Sequence, residues 1–99
     1  MSKIVVVGDE DFTLGFELVG IESFPFEDFE KLIAKDSQAS ILIINEKDYS
    51  TLSLKLKSQV DRLLKPIVVI LSEDDIKGSN LREAIIRALG VDLLKEKKN

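Results

Sequence analysis

Eight carboxylates stand directly behind three apolar runs of this 99-residue chain. Asp9, Glu10 and Asp11 follow Ile4 to Val7, Glu46 and Asp48 follow Ile41 to Ile44, and Glu73, Asp74 and Asp75 follow Ile67 to Leu71. Hard cations take oxygen ligands, so carboxylates gathered in this way are the raw material of a Mg²⁺ site. The plainer reading is a set of solvated acidic loops. Other chemistry has less to work with. The chain has neither cysteine nor histidine, which removes thiol chemistry, disulfides, the usual general base and the usual zinc ligand. Ser, Thr and Lys are present without a His or Cys to complete a familiar nucleophilic constellation.

The carboxylates act together only if the fold brings the three runs to one edge, and the pattern predicts that it does. Ile4–Val7, Ile41–Ile44 and Ile67–Leu71 are continuous and largely β-branched. A strand wet on one face alternates, whereas an unbroken run signals burial on both faces, as in parallel sheets. Phe12, Phe16 and Val19 recur at helical spacing between Asp11 and Val19, and Gly20 stops them. Gly15 inside that helix costs about 1 kcal/mol relative to Ala, and a small residue there is expected to allow close backbone packing. A short edge strand near Ile21–Phe24 ends at Pro25, which suits a helix start. Phe26, Phe29, Leu32 and Ile33 make the next apolar face.

Residues 45–65 must return the chain to a parallel sheet, which calls for a crossover helix. LSLKLK at 52–57 alternates as a strand does, but Leu52, Leu56, Val60, Leu63 and Leu64 fit a helical face, so a helix ending at Pro66 is expected. Ser72 to Gly78 reads as an acidic loop. Asn80 and Glu83 have capping-box spacing before a last helix carrying Leu81, Ala84, Ile85, Ala88 and Leu89, with Gly90 as its stop. With right-handed crossovers, the pattern predicts a small four-stranded parallel sheet, order 2-1-3-4, flanked by helices and Rossmann-like. The two central strands and the fourth are expected to be the most buried. Residues 1–78 would form the sheet body, and residues 79–99 a C-terminal helix and tail of the same single domain.

In such a fold the acidic edge has a receiver domain as its sharpest comparison. The likeness lies in the acids after the first strand and in Ser72 after a later one. The acceptor Asp expected at the end of the third strand is Asn45, and no fifth strand bears the required Lys. GDEDFTLG matches neither GxxxxGK[ST] nor GxGxxG, and its three carboxylates would repel a phosphate. Five Phe residues cluster at 12, 16, 24, 26 and 29; core packing accounts for most of them.

Charge is unevenly spread. The net charge is −4, but residues 1–50 carry −7 and residues 51–99 carry +3. This is either ordinary surface solvation or a dipole that steers a charged partner. Neither half has the dense basic patch of nucleic-acid binding. No apolar run reaches the roughly 18 residues of a membrane span. MSKIVVV leads straight into a strand and does not read as a signal peptide, so a cytoplasmic protein is expected.

Two stretches resemble a known family. GDEDFTLGFELVGI after the first strand is similar to the opening of the F subunit of archaeal and vacuolar-type rotary ATPases, on Gly8, Asp9, Thr13, Gly15, Phe16, Leu18 and Gly20. IVVIL, an acidic loop and LREAIIRALGVDLL resemble that family's close, and the length agrees. The resemblance implies a noncatalytic central-stalk subunit that sits beside the coiled-coil D subunit and turns with it inside the catalytic headpiece. It implies no cofactor, no catalytic or metal site, no nucleic-acid partner, no membrane insertion, and a cytoplasmic place at the membrane through the complex. The alternatives are a receiver-like Mg²⁺-binding signalling domain and a free-standing adaptor.

Beyond Gly90, the apolar Val91, Leu93 and Leu94 lie beside Lys95, Lys97 and Lys98 with no evident place in the core. They read as a partner-docking segment or as a frayed end. In the family the C-terminal part is a mobile element engaging stalk or headpiece, which favours docking.

Overall fold

The computed structural model describes residues 3–76. Four parallel strands, β1 (Ile4–Val7), β2 (Glu22–Phe24), β3 (Ile41–Asn45) and β4 (Ile67–Leu71), form one sheet in the order β2-β1-β3-β4. Val5 pairs with Glu22 on one side and Leu42 on the other, and Leu42 with Val68. The expected strand order is thus the observed one. The final helix expected after residue 79 and the tail lie outside the described residues.

Alternation along the strands splits the core into two layers. Val6, Ile41, Ile43, Val69 and Leu71 face helix α1 (Glu10–Leu18), which contributes Phe12 and Phe16. Val5, Val7, Leu42 and Ile44 face the other way, towards Phe29 and Ile33. On that side lie a 3₁₀ turn (Phe26–Asp28), α2 (Phe29–Leu32), α3 (Glu46–Ser50) and α4 (Leu54–Asp61). Every residue of β3 is buried, as a continuous apolar run in a central strand requires.

α1 is fixed at both ends by its own sequence. The Asp9 carboxylate accepts from the Phe12 backbone N–H at 3.0 Å, the N-cap bond that satisfies an orphan donor of the first turn. At the other end Gly20 N–H reaches Glu17 O and Ile21 N–H reaches Phe16 O, both at 3.0 Å. With Gly20 at φ +91°, this is a Schellman stop, and Ile21 joins Phe16 in the core as the motif's usual apolar contact.

The structure revises several expectations. Val19 is not on the buried face of α1; it is the C-cap and is 51% exposed. Its place in the core goes to Ile21, because the glycine turn swings the chain back under Phe16. Gly15 is exposed, so close packing against the sheet is not its role. The crossover after β3 is two helices, broken where the Ser53 hydroxyl accepts from Leu56 N–H to start α4. Leu52, Leu56, Val60 and Leu63 pack on the core as a helical face, while Leu64 is 96% exposed, lying past the last turn. The acidic stretch after β4 starts a short helix, α5 (Glu73–Ile76). β4 is less buried than the central strands, with Ile67 and Ile70 exposed, because an edge strand has a neighbour on one side alone.

Candidate functional site

Parallel strands put all their C-terminal ends on one edge, and in open α/β sheets ligands sit there, where the strand order reverses. Here that point lies between β1 and β3. Gly8 ends β1 at φ +148°, a conformation that favours glycine. A Cβ added to it would lie 3.0 Å from Phe12 Cδ2 and 3.5 Å from Asp48 Oδ2. The turn after β1 is therefore closely approached by the Phe12 side chain from α1 and by the Asp48 carboxylate from α3.

Asp9 and Asp48 come near enough to repel each other, but the described carboxylates gather into no larger cluster. Asp9 is committed to capping α1. Asp48 is half-buried, and its pKa is raised above the ordinary carboxylate value, first by burial and then by repulsion from Asp9. Glu73 is paired with Lys47 at 3.5 Å, so the β3 and β4 loops are joined by opposite charges. A small cleft of about 240 Å³ runs between Asn45, Glu46, Lys47, Ser72, Glu73 and Asp74. Among the described residues, no group of three carboxylates is placed to hold a metal ion.

Asn45, where a receiver domain carries its acceptor Asp, is 4% exposed. Its Oδ1 accepts from Lys47 N–H at 3.0 Å and starts α3. An amide is a poor nucleophile, and this one is engaged in capping. The edge is built as three helix starts, with Asp9 and Asn45 acting as caps, and its acids suit the positive ends of helix dipoles.

A second surface was not foreseen from the sequence. α1 has two apolar faces. Phe12, Thr13 and Phe16 are buried, while Leu14 and Leu18 are 52% and 78% exposed. At 3.6 residues per turn, Leu14 and Leu18 stand opposite Phe12 and Phe16, with Val19 beyond them. The signal was present as a second i, i+4 pair, Leu14 and Leu18, interleaved with Phe12 and Phe16. On the helix flank the Glu17 carboxylate accepts from Thr13 Oγ1 and from Ser23 Oγ, tying α1 to β2. The other expected interface, Val91, Leu93, Leu94, Lys95, Lys97 and Lys98, lies outside the described residues.

No helix among the described residues is long and apolar enough to cross a membrane. Residues 4–87 match the family model of the ATP synthase (F/14-kDa) subunit. The chain is similar to the F subunits of A-type ATP synthases in several archaea. That of Methanospirillum hungatei is 33% identical over 100 residues, covering 94% of this chain and 99% of the relative. That of Haloferax volcanii is 33% identical over 105 residues, covering 96% and 98%. That of Methanococcoides burtonii is 35% identical over 99 residues, covering 94% and 99%. No solved structure matches the chain significantly. Matched over most of its length by the family model and over nearly all of it by these relatives, the chain belongs to the family of ATP synthase F subunits.

Proposed function

We propose that this chain is a noncatalytic rotor subunit in the central stalk of an A/V-type ATP synthase. It binds the coiled-coil D subunit and helps to couple ATP synthesis or hydrolysis to ion transport. The observation that carries this reading is the match of residues 4–87 to the family of an ATP synthase component. The acidic edge fits it: Asp9 and Asn45 are engaged in capping, and Phe12 and Asp48 crowd Gly8 at the end of β1. A protein of this kind contributes rigidity and contact surface, and a small two-layered core with its helix starts capped supplies the rigidity. In this reading the subunit is cytoplasmic and reaches the membrane through the complex alone. Residues 79–99 act as a C-terminal helix and tail, in which Val91, Leu93, Leu94, Lys95, Lys97 and Lys98 contact the stalk or headpiece.

The test is copurification. The tagged chain, expressed with the coiled-coil subunit of the same complex, is expected to elute with it as a stable pair through size exclusion. Elution of the two as separate species at micromolar concentration overturns the reading.

A further inference from the structure

We infer that the outward face of α1 is a docking ridge for an α-helical partner whose apolar stripe is flanked by Lys and Arg. In the function proposed above, on which this inference rests, that partner is the coiled-coil subunit.

The ridge is defined by Leu14 and Leu18, 52% and 78% exposed, one turn apart and directly opposite the buried face. A helix that is apolar on one face needs one layer against it; a helix apolar on both faces is normally sandwiched. α1 has its sheet on one side, and nothing among the described residues covers the other. Between the two leucines Gly15 is exposed and offers no side chain. A crossing helix can therefore approach the α1 backbone closely, with Leu14 and Leu18 entering its grooves. α1 is about 13 Å long at 1.5 Å per residue, enough for roughly two turns of a partner helix.

Charge identifies the partner's flanks. Residues 4–30 contain eight acids and no base. The nearest bases are already engaged, Lys3 with Glu22 and Lys31 with Asp28. On α1 itself Glu10, Asp11 and Glu17 border the leucines, and the last turn has no basic residue. An acidic partner would meet like charge across the interface, which disfavours it strongly. A basic one gains both steering and register.

The experiment measures affinity between the purified full-length chain and the purified coiled-coil subunit. The double variant Leu14→Ser/Leu18→Ser is compared with Leu54→Ser, a control at another exposed leucine on α4. The expected result is a loss of about tenfold or more for the double variant, the scale of removing a central interface contact, with the control unchanged. Wild-type affinity should fall as salt rises, because the flanking charges are screened. Wild-type binding matched within about twofold by the double variant overturns the ridge and leaves the proposed function standing. If the wild type does not bind the coiled coil, the proposed function falls and the ridge with it. Two results in the free chain also overturn the proposal. A strong drop in thermal midpoint for the double variant would mean that the face is covered by the chain's own remaining residues. A wild-type dimer abolished by the double variant would mean that it is covered by a second copy. Should the serines perturb α1, slowed amide exchange of residues 10–19 in the wild-type complex decides the matter; unchanged exchange overturns the ridge.

Discussion

Gly8 and Phe12 are in contact range with no room between them: a Cβ on Gly8 would lie 3.0 Å from Phe12 Cδ2. The glycine also holds φ at +148°. Gly8→Ala therefore meets both backbone strain and a packing conflict with a ring buried in the core. Gly20, at φ +91°, has nothing within 4 Å of an added Cβ and meets strain alone. Gly20→Ala is expected to cost roughly 1–2 kcal/mol and Gly8→Ala more, as read from urea midpoints. Equal losses, or a milder Gly8 variant, would show that the Phe12 ring moves aside at no cost.

Gly15 makes the opposite case. It sits inside α1 on the exposed side, so its helix penalty is not offset by close packing on the sheet. Gly15→Ala is expected to stabilise the free chain by about 0.5–1 kcal/mol. A loss of stability would revive the close-packing role that the sequence pattern invited. Assembly provides a second readout, since a partner helix lying close over Gly15 would be pushed away by larger side chains. Gly15→Leu is therefore expected to weaken binding to the coiled-coil subunit while leaving the fold intact by circular dichroism.

Asp48 gives the pH dependence. Its folded pKa is raised by burial and then by Asp9, so between its unfolded and folded pKa the folded state binds the extra proton. The contribution of this group to stability is therefore most favourable in acid and declines as pH rises through the folded pKa. Asp48→Asn removes the penalty. It is expected to raise the thermal midpoint at pH 7 and to make no difference well below the carboxylate range. Asp9→Asn keeps the cap, since Asn caps as well as Asp, and is expected to lower the Asp48 pKa in an NMR titration. An unchanged Asp48 titration in that variant would show that the two groups do not interact.

The parts of this fold that were legible in the sequence are those set by long apolar runs. IVVV, ILII and IVVIL are unbroken, so parallel pairing of all three, and burial on both faces of the first two, followed from hydropathy alone. The spacing of Phe12 and Phe16 marked the inward face of α1; it did not show that Leu14 and Leu18 make a second, exposed i, i+4 pair or that Val19 leaves the core. Phe12 and Phe16 turn inward because larger rings bury more surface than Leu14 and Leu18, and the Schellman stop then ejects Val19. The burial of β4 was misjudged for a related reason, since a run of β-branched residues reads alike in a central and an edge strand. The acidic edge was located correctly, but its geometry was not. Capping by Asp9 and Asn45, and Asp48 folding over Gly8, depend on loop conformations that no spacing encodes.

That edge leads to a prediction about chemistry. Asn45 is a buried cap, and no three carboxylates among the described residues are placed to bind a cation. The isolated chain is expected to show neither ATPase activity nor phosphorylation by acetyl phosphate with Mg²⁺. Stoichiometric phosphate incorporation, abolished by mutating one of Asp9, Asp48 or Glu73, would restore the receiver-like reading.

The tail provides the last test. Val91, Leu93 and Leu94 lie beyond Gly90 and beside Lys95, Lys97 and Lys98, in the half of the chain that carries positive charge. The helix expected over residues 80–89 is the cover the sheet needs, and these three residues lie beyond it in the sequence, so they are not expected to bury the central strands. Deleting residues 91–99 is therefore expected to leave the thermal transition nearly unchanged. If the segment docks on stalk or headpiece, the same deletion weakens assembly with the complex or alters its ATPase rate. Unfolding of the shortened chain would make the segment part of the core. A folded, shortened protein that assembles and turns over at the wild-type rate would make it a dispensable end. Between these outcomes, charge gives a finer reading. Lys95, Lys97 and Lys98 replaced by Gln should reproduce the assembly defect in part, and high salt should mimic it, if the lysines steer the contact. Replacement of Leu93 and Leu94 by Ser should reproduce it at every salt concentration, because apolar burial is not screened.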